Sequence, residues 1–288
     1  MATDLSLEYA LKSLDGLSLG DAFGELFFRR SPFETTFDDL PKTFWEWTDD
    51  THMALSIVEI LKTYQHIDQD ALAKAFAKRY KQDPARGYGG GAHKLLSNIA
   101  SGGSWREGAP KLFGTGSYGN GAAMRAAPIG GFFYDDVNKA AYEANLSAEV
   151  THSHHEGKAG AIAVAVAAAI AANKPYPTGI DFLKEVIPYL PEGITRSRIE
   201  LAMQIPSTAI IDAMKQLGSG ENVSAQDTVP FCLWSAAYHL DSYEEALWNT
   251  AKGLGDVDTT CAIVGGIVAL SAPEIPASWL KHREPLKL

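Results

Sequence analysis

An all-α fold, a compact bundle of many helices, is what this sequence predicts, and three observations carry the prediction. Apolar residues recur at spacings of three and four along most of the chain. No stretch alternates apolar and polar residues convincingly, and no hairpin dipeptide separates two such stretches. No fixed-period internal repeat stands out, which argues against a solenoid.

Taken in order, the spacing predicts helices over 5–19, 49–64, 70–80, 92–100, 122–133 and 137–150. It continues with 156–172, 181–189, 196–217, 228–240, 243–254 and 259–271. Asp, Ser or Thr stands near many of these starts and Gly or Pro follows many ends, which supplies caps. Two segments, 159–172 and 259–272, are rich in Ala and Gly and have almost no polar face. Small side chains let backbones approach closely, so both belong at the centre of the bundle.

Composition narrows the class. At 288 residues the chain suffices for one large domain or two ordinary ones, and 46% hydrophobic with 21% charged residues is typical of a soluble globular protein. The net charge of −10, with no offsetting run of Lys or Arg, argues against direct nucleic-acid binding. Any phosphate must therefore be caught by local donors. Cys232 and Cys261 lie inside apolar stretches and read as buried free thiols. The first residues are polar and acidic, unlike a signal peptide, and the longest apolar runs fall short of a membrane span. A cytoplasmic protein with no membrane attachment is the expectation.

The most informative residues are two acidic motifs about two hundred positions apart, Trp47-Thr48-Asp49-Asp50-Thr51 and Gly255-Asp256-Val257-Asp258-Thr259-Thr260. Each opens a helix too apolar for the surface. A capped helix start is the ordinary reading of either motif alone. Buried carboxylates need a compensating cation, and an all-oxygen set of Asp and Thr suits a hard divalent ion. Adjacent helical residues point about 100° apart, so Asp49 and Asp50 suit two ions better than one. A pair of ions roughly 3.5–4 Å apart fits the set. For the motifs to share a site they must converge across the Pro-rich stretch 174–191, so that stretch reads as a surface crossover and residues 1–288 as one domain.

Other constellations are weaker. Gly114-Thr115-Gly116-Ser117-Tyr118-Gly119-Asn120-Gly121 precedes a predicted helix near Ala122, and a second glycine-rich loop spans 87–91. Such loops turn backbone N–H groups toward an anion, although a tight turn is the alternative for each. Thr151-His152-Ser153-His154-His155 has no partner cluster to complete a zinc set, and its histidines read as hydrogen-bond donors or structural groups. Glu25 is a candidate acid or base, and Tyr88, Trp105 and Tyr118 are candidates to stack a base.

Together these motifs resemble the ADP-ribosylglycohydrolase family, which includes the dinitrogenase reductase-activating glycohydrolase. The resemblance rests on Gly20-Asp21-Ala22-Phe23-Gly24, Thr48-Asp49-Asp50-Thr51-His52-Met53, Gly119-Asn120-Gly121-Ala122-Ala123-Met124-Arg125, Thr151-His152 and Gly255-Asp256-Val257-Asp258-Thr259, in that order. It implies a compact orthogonal all-α bundle. It also implies two Mg²⁺ or Mn²⁺ ions held by Thr48, Asp49, Asp50, Asp256, Asp258 and Thr259. Ser117, Tyr118, Gly119, Asn120, Gly121 and His152 would bind the ADP-ribose. The implied reaction is removal of ADP-ribose from a modified target, with arginine on a protein as the leading acceptor, by a metal-organised water attacking the anomeric carbon. Asp49 and Asp50 are the expected catalytic carboxylates, with Glu25 as a further candidate. The substrate would be an ADP-ribosylated protein or small molecule. Two positions depart from the family pattern: Phe28 stands where many members have Glu, and Leu254 where a Gly often precedes the last motif. Phe28 keeps a second reading open, a non-catalytic ADP-ribose-binding or structural, crystallin-like descendant.

Overall fold

The computed structural model describes residues 2–173 and 175–287, and fifteen α-helices form among the described residues. Lys174, at the start of the predicted crossover, lies outside the described residues. The first helices are α1 (Ala2–Glu25), α2 (Asp49–Tyr64), α3 (Gln69–Gln82), α4 (Gly90–Ala100) and α5 (Trp105–Gly108). Then follow α6 (Ala127–Phe132), α7 (Val137–Glu149), α8 (His155–Ala172), α9 (Ile180–Val186) and α10 (Ile194–Ala202). The last are α11 (Ile210–Leu217), α12 (Ala225–Ala237), α13 (Tyr243–Ala251), α14 (Val257–Ser271) and α15 (Ala277–Leu280). Extended pairing among the described residues is limited to two isolated bridges, Trp45 with Arg283 and Gly119 with Ser224.

Prolines explain where two of the expected helices break. The helix expected over 122–133 is instead a 3₁₀ turn at Asn120–Ala122 followed by α6, which starts just before Pro128. Proline has no N–H to continue a preceding turn, yet fits the first turn of a new one. The expected helix over 196–217 breaks into α10 and α11, with Pro206 between them. Pro230, by contrast, lies inside α12. The carbonyl it leaves without a helical partner is that of Gln226, and Arg198 Nη1 donates to it at 2.8 Å.

One hydrophobic cluster runs from Ala10 to Trp279. At its heart are α8 and α14, both buried along nearly their whole length, as their missing polar faces require. By length and composition alone α8 could cross a membrane, but it lies mostly inside this core. Cys232 and Cys261 are buried free thiols.

The packing that matters most for function is α1 against α14, the most extensive helix pair. Gly16, Gly20 and Gly24 recur every fourth residue on one face of α1. A Cβ on Gly20 would overlap the Cys261 carbonyl, and one on Gly24 the Val257 carbonyl. Glycine therefore lets the two backbones touch, and Asp21 is carried directly to the start of α14.

Candidate metal centre and cleft

Asp21 organises the N-terminal acidic motif. Its fully buried carboxylate accepts hydrogen bonds from Thr48 N at 3.0 and 2.9 Å, from Thr51 N at 3.0 Å and from the Thr51 hydroxyl. These bonds fix the turn that starts α2, where Thr48 is the N-cap and its hydroxyl donates to Asp50 Oδ2 at 3.0 Å. From the other end of the chain, Thr259 Oγ1 donates to the same Asp50 oxygen at 3.4 Å. The two motifs thus converge. One oxygen each of Asp21, Asp50 and Asp258 lies within 4.8 Å of the others.

So many carboxylates in so small a volume alter their acidity. Burial pushes Asp21 up to about 6. Asp49 rises to about 8, through burial first and the negative charge of Asp21 second. Asp50 and Asp258 are held well above the usual carboxylate range, again by burial and then by neighbouring carboxylates. The other Asp50 oxygen, Oδ1, is buried and has no hydrogen-bond partner. A buried orphan oxygen among mutually repelling carboxylates is what a hard divalent cation satisfies, so these residues fit such an ion.

The cluster forms one wall of a cleft of about 350 Å³. Asp49, Asp50, Asp256, Asp258 and Thr259 line it from that side, and Ser117, Tyr118, Gly119, Asn120, Gly121 and His152 from the other. Gly87, Gly89, Gly90 and Gly91 close one edge. The Ser117–Gly121 strand of chain is stapled down: Asn120 N donates to Val223 O at 3.2 Å, and Ala225 N to Tyr118 O at 2.9 Å. The Asn120 amide donates to Asp256 Oδ2 at 2.6 Å and to Thr228 Oγ1 at 3.1 Å, tying the glycine loop to the C-terminal motif.

Arg125 sets the orientation of His152. Fully buried, it donates to Gly121 O at 3.0 Å, to Ser147 O at 3.1 Å and to Thr151 Oγ1 at 2.8 Å. Arginine can only donate, so the Thr151 hydroxyl is free to direct its own proton to His152 Nδ1, 2.7 Å away. That bonding pattern leaves the His152 proton on Nε2, which lies against Gly119 and Gly121. Burial pushes the His152 pKa down to about 3, so the ring is a neutral donor.

Some sequence-derived candidates lie elsewhere. Glu25 ends α1, half-buried and outside the cleft lining, where burial raises its pKa; its negative charge helps raise Asp258. Phe28 is half-exposed and also outside that lining. Tyr88 is buried behind the glycine edge, bonded to His52 Nδ1 at 2.9 Å, and Trp105 donates to Asp70. In the histidine run His154 Nδ1 accepts from Glu156 N at 3.2 Å, and the largely exposed His155 places Nε2 3.4 Å from Glu156 Oε1. Sequence reasoning missed Asp21 and Phe113. Asp21 stood in a quoted motif but carried no signal of its own beyond that. Phe113, 72% exposed at the cleft mouth, occupies a left-handed conformation (φ 52°) that no local pattern foretells. Leu254 is likewise left-handed, at φ 55°, which accounts physically for glycine being common at that position.

Known proteins share this architecture. A solved ADP-ribosylglycohydrolase-related protein complex superposes with a TM-score of 0.66 at 20% identity, over 98% of this chain and 94% of that one. An uncharacterized protein of Archaeoglobus fulgidus is 30% identical, covering 94% of this chain and 91% of its own. ADP-ribosylhydrolase ARH3 of Homo sapiens is 29% identical across 83% of this chain and 74% of its own length, and that of Gallus gallus is 28% identical. The sequence profile of the ADP-ribosylglycohydrolases matches residues 2–287, which is nearly the whole molecule. With its two acidic motifs folded onto one cleft, the chain belongs to the ADP-ribosylglycohydrolase family.

Proposed function

We propose that this protein is a divalent-cation-dependent hydrolase that releases ADP-ribose from a modified target, with an arginine side chain of a protein as the acceptor. The observation that carries this reading is the two-sided cleft: a buried, cation-seeking carboxylate cluster faces a glycine loop and a neutral histidine donor. Thr48, Asp49, Asp50, Asp256, Asp258 and Thr259 would hold two Mg²⁺ or Mn²⁺ ions. When bound, such ions supply the positive charge that polarises and fixes the ribose hydroxyls.

The chain's own groups do the rest. Glycine-loop backbone and His152 Nε2–H receive the diphosphate, while the exposed rings of Phe113 and Tyr118 suit the flat base. At the acidic wall Asp49 orients a water and takes its proton as the water oxygen bonds to the anomeric carbon. The bond to the acceptor breaks, the proton taken up by Asp49 passes to the departing acceptor nitrogen, and the oxocarbenium character that develops is stabilised by the surrounding carboxylates.

The test is product analysis by mass spectrometry after incubation with arginine-, serine- and nucleotide-linked ADP-ribose and Mg²⁺ or Mn²⁺. Free ADP-ribose from the arginine-linked substrate is expected, lost with a chelator and lost in Asp258→Asn, whose helical circular dichroism should persist. Release only from another linkage overturns the acceptor assignment. AMP as product would identify a phosphoesterase instead. Phe28 motivates the non-catalytic alternative, which predicts tight ADP-ribose binding and no product from any linkage.

A further inference from the structure

A second and larger cavity, about 840 Å³, lies on the other side of α2 and is bordered by Trp47, His52, Arg86 and Glu284. Its wall contains a side chain whose bonds lead straight back to the acidic turn. Arg86 Nη1 and Nη2 grip both carboxylate oxygens of Glu284, at 2.7 and 2.8 Å. Its Nε donates to Asp83 at 2.8 Å, and Nη1 also donates to the Trp47 carbonyl at 3.0 Å. The guanidinium lies over the Trp47 ring, 3.9 Å from its centroid. The backbone of the same residue completes the link: Asp49 N donates to Arg86 O at 2.7 Å. Next to it, a Cβ on Gly87 would sit 3.1 Å from Asp49 Oδ1, so this loop backbone abuts the carboxylate itself.

Glu284 is held in turn by the segment around Trp45. Trp45 N donates to His282 O at 2.6 Å, Glu284 N to Trp45 O at 2.9 Å, and Trp47 Nε1 to Glu284 O at 3.2 Å. The residues before and after the Thr48–Asp50 turn are therefore fixed by one part-buried, bidentate ion pair contributed by a C-terminal segment. Isolated surface pairs contribute little, but this one has only about a fifth of each side chain exposed and every guanidinium nitrogen engaged.

We propose that Arg86 and Glu284 are positioning residues for the divalent-cation site: their pairing holds the Trp47 and Arg86 carbonyls so that Asp49 faces the cleft in a cation-ready orientation. The proposal rests on the metal reading above. Groups that orient metal ligands without touching the metal typically change affinity 10–100-fold when removed.

The experiment titrates Mn²⁺ calorimetrically into metal-stripped full-length protein, as wild type, Glu284→Gln, Glu284→Ala, Arg86→Lys and the Arg86→Lys/Glu284→Ala double variant. Breaking the exposed Lys184–Asp181 pair with Asp181→Ala is the control. A roughly 10-fold weaker affinity is expected for Glu284→Ala and Arg86→Lys, with a smaller loss for Glu284→Gln and none for the control. The double variant should be no weaker than either single one, because both remove the same interaction. Melting of the metal-free forms should stay within a few degrees of wild type, and the electron paramagnetic resonance spectrum of bound Mn²⁺ should broaden in the variants. Wild-type affinity in all variants overturns the positioning role alone. Affinity losses that merely follow a large drop in metal-free melting, with Glu284→Gln unaffected, also overturn it. Failure of the wild type to bind Mn²⁺ overturns the metal reading and this inference together.

Discussion

Replacing Asp21 by Asn separates the two jobs of the acidic cluster. In the metal-free protein this carboxyl is raised from an ordinary 3.8 to about 6, so keeping it ionised at pH 8 costs about 3 kcal/mol at ~1.4 kcal/mol per pH unit. Asn removes that cost. It also turns one acceptor oxygen into an NH₂ group facing donors at Thr48 and Thr51, and a lost hydrogen bond to a charged group is worth roughly 1.5–3 kcal/mol. The terms oppose each other and are similar in size, so melting of the metal-free variant should move by no more than about 5 °C. Cation binding has no such compensation. Losing a carboxylate that both orients the turn and adds negative charge should weaken Mn²⁺ binding roughly 10–100-fold, or about 1.4–2.8 kcal/mol. Calorimetry on stripped protein, paired with melting with and without Mn²⁺, reads both quantities. A variant that binds Mn²⁺ as tightly as wild type would refute the organising role given to Asp21.

Further predictions concern pH and packing. Because burial and neighbouring carboxylates hold Asp49, Asp50 and Asp258 above the unfolded value, the folded state holds extra protons, and their stabilising effect is lost as pH rises, for Asp49 through about 8. His52 and His152, lowered to about 4 and 3, oppose this trend only below about 6.5, where the unfolded histidines titrate. Chelator-treated protein should therefore melt lower at pH 8.5 than at pH 6.5, and excess Mg²⁺ should abolish the difference; equal melting points in chelator would count against the buried cluster. Gly20→Ala drives a methyl into the Cys261 carbonyl and should destabilise by on the order of 3 kcal/mol, seen as a melting point lowered by roughly 6–10 °C. Leu254→Gly relieves a left-handed leucine that is 42% exposed and should leave the protein about 0.5–1 kcal/mol more stable in urea unfolding.

Legibility followed the range of the interaction. Helix α2 was predicted with its observed bounds, because a Thr cap, two first-turn carboxylates and an apolar run are all local signals. Around Pro128 and Pro206 the apolar periodicity runs on unbroken through a helix break that only the missing N–H enforces. Tyr88 and Trp105 were plausible base-stacking residues by type, but what an aromatic ring faces depends on the elements packed around it. The same limit hid Phe113, whose exposure at the cleft mouth comes from a turn with no sequence signature.

Left to itself, the amino-acid order determined an all-helical chain with two buried acidic turns, since spacing, caps and carboxylates beside apolar runs are written within a few residues of one another. Only tertiary structure decided that Asp21 belongs with Asp50 and Asp258, that Arg125 aims His152 through Thr151, and that a C-terminal glutamate grips Arg86. The physical reason is sequence distance: Arg125 and Thr151 are 26 residues apart, Arg86 and Glu284 are 198 apart, and Asp21 and Asp258 more than 200. The pairing of Asp21 with Asp258 exists because glycines on α1 let its backbone meet α14, a close approach that becomes visible when both helices are in place.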